Sequence, residues 1–348
     1  MNDNGNKINK PVVSVIIITY NQEDTIAQAI DSVLLQKVDF PYEIILADDA
    51  SIDRTSAICE HYQSRFPDMI RYVRNKKNKG AVKNYFDAFC VCRGEYIADC
   101  AGDDFWIGES RLQEQVEYMR EHPAVMMVHA NWRVYDTITG NFTLRARDSR
   151  YDPGEKIQTG EDSIIKLLHQ RGTPYVIPAT GIYRFKPVYE FYGRHTALFR
   201  DYLCEDIQLA AVCMHLGEVH YLDRETMVYR VGRPSVSNQW DTEKAFRFSI
   251  DMFRLRYALA RCFNLDMSRL KPYSKKQFAL IMRYSVRAGK GEYAREAYRL
   301  IKENSESLSV CTRLLYWGVT DKVLSPVIYF LYGKLRKVYH LFVIKNKL

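Results

Sequence analysis

Nowhere in the 348 residues does an apolar run approach the roughly 18–20 residues that a membrane-spanning helix needs. The opening stretch, MNDNGNKINK, is polar and has no apolar centre, so no secretory leader is expected there. The eight cysteines form no C-x-x-C pair; Cys90 and Cys92 are separated by a single residue and the others are scattered. That disfavours a zinc site and a disulfide framework, and is expected of thiols in a reducing cytoplasm. Glycine-rich phosphate loops are missing too. The first apolar run passes straight into TYNQED without a G-x-G-x-x-G, which disfavours a nicotinamide-type dinucleotide site, and no G-x-x-x-x-G-K-[ST] occurs anywhere.

What is present is an ordinary globular balance, 47% hydrophobic and 26% charged, at a length that suits one large domain with an appendage or two domains. The net charge of +8 is unevenly spread: from Ala245 onward 21 Lys and Arg face 7 Asp and Glu, a balance of +14 that leaves −6 for the first 244 residues. An acidic body with a basic tail implies two different jobs.

The first half alternates short apolar runs with amphipathic stretches. VVSVIIIT (12–19) is β-branched almost throughout, as a strand buried on both faces should be. EDTIAQAIDSVLLQ follows, with Ile26, Ile30, Val33 and Leu34 on one helical stripe. YEIILADD, MIRYVRN, GEYIADC and AVMMVHAN read as further strands, separated by helical DRTSAICEHYQSRF (with Asp53 placed to cap it), by GAVKNYFDAFCVC and by a helix over 109–122. Such alternation predicts an α/β fold, a mostly parallel central sheet with helices on both faces. From 151 to 238 the pattern is less regular, broken by Pro153, Pro174, Pro178 and Pro187; beyond Thr242 it becomes helical and basic. Ligands of open sheets bind at the carboxyl ends of the strands, which here carry Thr19, Tyr20 and Asn21, then Asp48 and Asp49, then Asp103 and Asp104.

Four stretches in order, SVIIITYNQEDTIAQAIDSVLLQ, YEIILADDASIDRT, NKGAVKNYFDAFCVCRGEYIADCAGDDFW and EDIQLAAVCMHLGEVHYLDRETMVYR, resemble the family 2 glycosyltransferases of the type-A nucleotide-sugar-binding fold. The likeness covers about the first 230 residues. It implies a catalytic domain over 1–240, with nucleotide-sugar binding in its first half and the acceptor side from about residue 125; the basic helical region over 241–348, read from pattern and charge, lies outside the likeness. It also implies a role for each matching residue. Tyr20, with Asn21 beside it, resembles the residue that stacks on the nucleotide base, and Asp49 the one that hydrogen-bonds the base edge. Lys83 and Asn84 resemble positions lining the nucleotide pocket. Gly102, Asp103 and Asp104 match the D-x-D region, with Asp103 as the acid that holds a divalent ion, Mn²⁺ or Mg²⁺, against the diphosphate. Asp206 resembles the general base that activates the acceptor hydroxyl. The implied activity is inverting transfer from a nucleoside-diphosphate sugar, a UDP-sugar first among them, to a glycan or lipid-linked acceptor in cell-surface polysaccharide synthesis. The implied setting is the cytoplasm, at the inner face of the cell membrane, with no nucleic-acid partner.

The chemistry suits these residue types. A leaving diphosphate takes up charge that a hard cation neutralises, and an acceptor hydroxyl gains roughly 10²- to 10⁴-fold from a carboxylate base. In one place the chain departs from the family: Ala101 stands where the first acid of D-x-D belongs. Asp99 cannot replace it on one ion unless the strand ends between Asp99 and Asp103. Ala101 keeps open a catalytically degenerate nucleotide-sugar-binding homologue or membrane scaffold, and a nucleotidyltransferase is a weaker rival. Plainer roles compete at the single sites: a solvated turn for Asp48 and Asp49, surface charge for Asp103 and Asp104, packing for Trp106, Thr180 and Trp132. Tyr229 and Arg230 resemble the family's closing segment. In the tail, Ile328, Leu331, Tyr332, Leu335, Tyr339 and Phe342 recur at helical spacing among basic residues, which suits either an anionic membrane surface or a packed bundle.

Overall fold

The computed structural model describes residues 10–144, 156–169, 176–232, 241–303 and 310–330. The chain divides into two compact units, Met1–Arg233 and Pro234–Leu348.

The first unit is built on one sheet whose strands are β1 (Val13–Thr19), β2 (Tyr42–Asp48), β3 (Ile70–Arg74), β4 (Tyr96–Ala101), β5 (Phe105–Trp106), β6 (Val125–Asp136), β7 (Asn141–Leu144), β8 (Ile157–Gln158), β9 (Ile182–Arg184) and β10 (Glu218–Val231). Their order is β3-β2-β1-β4-β9-β6-β10-β5, with β7 beside β6 and β8 beside β10. β3, β2, β1 and β4 run parallel, as do β6 and β10, whereas β9 lies antiparallel to both β4 and β6. Separating them are α1 (Ile26–Leu34), α2 (Thr55–Arg65), α3 (Ala81–Phe89), α4 (Arg111–Glu121), α5 (Gly160–His169), α6 (Phe185–Arg194), α7 (Thr196–Arg200) and α8 (Asp206–Leu216).

Alternation along each strand sends side chains to two layers. On one face Val13, Val15 and Ile17 of β1 join Ile44, Leu46 and Ala98 under Ile26, Ile30 and Val33 of α1 and Leu112, Val116 and Met119 of α4, all buried. On the other, Phe86 and Phe89 of α3 pack against Tyr192 and Phe199 in edge-on and stacked ring pairs. The expected α/β sheet with helices on both faces is thus present. The stretch expected to be irregular holds β8, β9, α5–α8 and all of β10 among its described residues; Pro153 and Pro174 lie outside them. Nor is Asp53 the cap of α2. Arg54 holds that position, and Asp53 accepts the Thr55 N–H (3.0 Å) and the Glu23 N–H (3.2 Å) from one residue earlier.

The second unit is helical: α9 (Thr242–Cys262), α10 (Lys271–Ala288), α11 (Gly291–Glu303) and α12 (Val310–Thr320), with helical backbone again at 324–330. Asp241 caps α9 through the Lys244 N–H at 2.8 Å, and Phe246 of α9 stacks on Tyr293 of α11 at 3.8 Å between ring centres. No described helix is long and apolar enough to cross a membrane. Of the apolar stripe expected in the tail, Leu331 to Phe342 lies outside the described residues.

Candidate active site

Parallel pairing sets the ends of three strands level: Thr19 stands opposite Asp48, and Ile18 opposite Ala101. The loops leaving these ends are tied to one another. Asn21, in left-handed backbone at φ 52°, donates its N–H to Ser51 Oγ (3.0 Å) and accepts the Ile52 N–H on Oδ1 (2.9 Å). Gln22 N–H reaches Thr55 Oγ1 at 2.8 Å. Tyr20, beside this lattice, is 45% exposed, so its ring is available to a ligand.

Asp48 and Asp49 are both buried, not a solvated turn. Asp48 accepts the Ser51 N–H (2.9 Å), the Ser51 hydroxyl (2.5 Å), the Ser56 hydroxyl (2.6 Å) and the Tyr72 hydroxyl (2.9 Å). Burial alone would raise its carboxyl; these donors outweigh burial and hold it below the usual range. Asp49 turns the other way. Its oxygens accept Asn75 Nδ2 (2.8 Å), the Lys79 N–H (2.9 Å) and the Gly80 N–H (2.8 Å), which binds the β3–α3 loop to the end of β2. A base edge would therefore share a carboxylate that already organises this loop. Asn84 is also buried, and its amide is spent on the Ala47 carbonyl (2.8 Å) and on Asn75 (2.8 Å). Its side chain thereby ties the β3–α3 loop to the end of β2. Lys83, one residue earlier on α3, is exposed.

After β4 the chain turns at Gly102, whose N–H bonds the Ile18 carbonyl at 3.0 Å. A Cβ there would stand 2.9 Å from Thr19 Oγ1 and collide with the Gln22 side chain, so only glycine lets the two loops approach this closely. Asp103 is half-buried and Asp104 buried. β5 pairs with β10, which brings Arg230 across this turn. Its backbone N–H donates to Asp104 Oδ1 (2.8 Å), while its guanidinium donates to the Asp103 carbonyl (2.5 Å) and to Gln28 Oε1 and covers the Phe105 ring at 4.8 Å. Burial, with the charge of Asp103 added, holds the Asp104 carboxyl well above the usual carboxylate range. Two adjacent acids thus coexist because one is buried and shifted toward neutrality and an arginine bridges the turn. Trp106 is structural: it donates Nε1–H to the Asp99 carbonyl (3.2 Å), and the buried Arg111 lies over its ring at 3.9 Å. Thr180 and Trp132 are likewise buried, with Thr180 Oγ1 accepting the Ala130 N–H at 2.9 Å.

Asp206 opens α8, with Glu205 as its N-cap, and both are half-buried. Burial raises both carboxyls above the usual range, and the charge of Asp206 raises Glu205 further. Both Asp99 and Asp104 feel the charge of Asp206, so it faces the β4 end. Asp99 does not join the turn, although β4 ends at Ala101, between Asp99 and Asp103. It accepts the Tyr85 hydroxyl (2.8 Å), which in turn meets the Tyr183 hydroxyl at 2.6 Å, and burial pushes its carboxyl up to about 7. Asp99 and Asn75 carry no motif of their own, and Arg230 was marked only by its likeness to the family's closing segment; the apolar run around Asp99 was the sole hint that a buried acid needs a partner.

The fit to a divalent ion is a spare one. Asp103 is the less buried of the two carboxylates of the turn, and among the described residues no trio of His, Cys, Asp and Glu side chains could hold a metal. One carboxylate plus phosphate oxygens is nonetheless a donor set that Mg²⁺ or Mn²⁺ accepts.

The comparisons agree with this geometry. A putative glycosyltransferase of Bacillus subtilis, EpsE, is 29% identical over 262 residues, 74% of this chain and 85% of its own length. An uncharacterized protein of Mycobacterium bovis is 33% identical over 178 residues, and there the match spans only 48% of the relative's length and 51% of this chain. Among solved structures, S. aureus TarS 1-349 in complex with UDP-GlcNAc superposes with a TM-score of 0.62 at 17% identity, covering 92% of this chain and 91% of that one. The mannosyltransferase PcManGT from Pyrobaculum calidifontis, in complex with GDP-Man and Mn²⁺, reaches a TM-score of 0.50 at 18% identity, over 97% of this chain and 87% of its own. The model of glycosyl transferase family 2 matches residues 14–191, more than half of the chain, so the chain belongs to that family.

Proposed function

We propose that the protein is an inverting glycosyltransferase that moves a sugar from a nucleoside-diphosphate sugar, a UDP-sugar first among candidates, to a hydroxyl of a glycan or lipid-linked acceptor in cell-surface polysaccharide synthesis. The observation that carries it is the meeting of an exposed aromatic (Tyr20), the Gly102–Asp104 turn and Asp206 at one end of a family 2 sheet. EpsE supports the transferase reading, and the likeness to TarS with UDP-GlcNAc supports the donor class.

In this account Tyr20 stacks on the base, Asn21 and Asp49 hold the loops that receive it, and Lys83 offers a cation beside the diphosphate. Asp103 would hold a divalent ion, which would neutralise charge building on the departing diphosphate; the Mn²⁺ of PcManGT supports that assignment. Asp206 takes the proton of the acceptor hydroxyl as its oxygen attacks the anomeric carbon. The new C–O bond forms on the face opposite the breaking bond to phosphate, and the configuration inverts. The setting is the inner face of the cell membrane, with residues 1–240 as the catalytic domain and its acceptor side from about residue 125.

Asp206→Asn tests the assignment: turnover falls at least about 100-fold while donor still raises the unfolding temperature. Because burial lifts the Glu205 and Asp206 carboxyls, kcat/KM of the parent climbs with pH through a value above the ordinary carboxylate range. Near-parental turnover in the variant removes Asp206 from the chemistry. Ala101, in place of the first acid, favours a second reading, a donor-binding homologue without turnover. That reading gains if donor binds and no acceptor or metal yields product.

A further inference from the structure

Large apolar side chains are scattered singly over the surface of the first unit but gathered in the second. Val310, Leu314 and Trp317 recur at i, i+4 and i+7 on α12, one face of the helix, and all are exposed, Trp317 by 64%. Val323, Leu324 and Val327 continue the exposed set into the helical backbone at 324–330. These are not frayed ends. The opposite side of α12 is packed: Val319 is fully buried, and Tyr316 stacks on Tyr298 of α11 at 4.4 Å. Tyr329 donates its hydroxyl to the Val319 carbonyl at 2.6 Å, which ties 324–330 back to α12. Gly291 lets α11 start against α12, since a Cβ there would stand 2.6 Å from the Val319 carbonyl oxygen. The result is a firmly held helical pair that turns an apolar face outward, where soluble proteins ordinarily place polar residues.

The charge around this face identifies its occupant. Arg313 and Lys322 are exposed within it, and the next eighteen residues, 331–348, contain Lys334, Arg336, Lys337, Lys345 and Lys347 with no Asp or Glu. The whole stretch from Ala245 carries +14. A second copy meeting it through the same face would bring the same positive charge to the contact and be repelled. An anionic bilayer supplies both an apolar layer and the opposite sign. We propose that the outward face of α12, led by Leu314 and Trp317, docks on the surface of anionic membranes, lying in the interface without crossing it. The inference deepens the lipid-linked reading by naming the contact surface. Its test uses neither donor nor acceptor, so it fails or holds separately from the transferase assignment.

The test is co-sedimentation of the full chain with vesicles of phosphatidylcholine alone or mixed with phosphatidylglycerol, together with tryptophan emission. Of the four tryptophans Trp106 and Trp132 are buried and Trp240 lies outside the described residues, so it is the loss of the blue shift in Trp317→Phe that assigns it to Trp317 leaving water. The expected result is binding at least about 10-fold stronger to anionic vesicles, weakened by salt. Leu314→Glu, at an exposed position, lowers it by about 10-fold or more; Val327→Glu serves as a second variant should the first be poorly folded, with circular dichroism checking both. No binding, binding indifferent to lipid charge, or an unmoved Trp317 emission overturns the proposal. So does light scattering that shows a dimer lost in Leu314→Glu, since the face would then be an interface between copies.

Discussion

Adjacent carboxylates occur twice at the strand ends, and each pair resolves its repulsion differently. Asp48 and Asp49 take separate sets of partners at the end of β2, and between them accept seven hydrogen bonds from the surrounding residues. Asp103 and Asp104 separate by environment, one half-buried and one buried under Arg230. Asp99 is a third case, a buried acid with a hydroxyl partner and a carboxyl lifted to about 7. Its folded state holds a proton more tightly than the unfolded chain, whose Asp titrates near about 3.9. Between those values the native state binds the extra proton, so this group's contribution is fully present below the lower value and is lost as pH rises to about 7. Asp99→Asn keeps an acceptor for Tyr85 and carries no charge. Thermal unfolding should therefore show the variant gaining on the parent as pH is raised through this window; a difference that does not change with pH contradicts a buried, protonated Asp99.

At the level of elements, the loop after β2 shows where function overrides backbone preference. Ala50 sits at φ 63°, in left-handed backbone that L side chains other than Asn and Asp rarely adopt, between the two acids and Ser51. Ala50→Gly should relieve that cost and stabilise the protein by about 1 kcal/mol, a rise of a few degrees in Tm. An unchanged or lower Tm would mean that the loop is not held in this conformation. Much of this layer was legible beforehand. β-branched VVSVIIIT could hardly be anything but a buried strand, and the polar ends of three such strands marked the site. β9 was not legible, because three residues, Ile182–Arg184, carry no periodicity; its place between β4 and β6 is set by Gly181, where any Cβ would run into the Val128 carbonyl. Asn84 came from the resemblance alone, and no sequence feature showed that its amide would bond the Ala47 carbonyl.

Across the whole molecule, charge and architecture divide together. The acidic first unit carries the sheet and every proposed site residue, and the basic helical unit carries the exposed apolar face. The family likeness reached the first and had nothing to say of the second, whose helical, basic character was nevertheless legible in the sequence beyond Thr242. The central claim is that the strand ends form a nucleotide-sugar site whose metal rests on Asp103. Thermal unfolding of the full chain against a set of nucleoside-diphosphate sugars, with and without Mn²⁺, tests it most directly, since a ligand at about 100 times its Kd adds about 2.7 kcal/mol to the native state. The account predicts a rise in Tm with one such sugar, larger with Mn²⁺ and with that increment lost in Asp103→Asn. Folded protein whose Tm no nucleotide-sugar moves, with or without Mn²⁺, would contradict it.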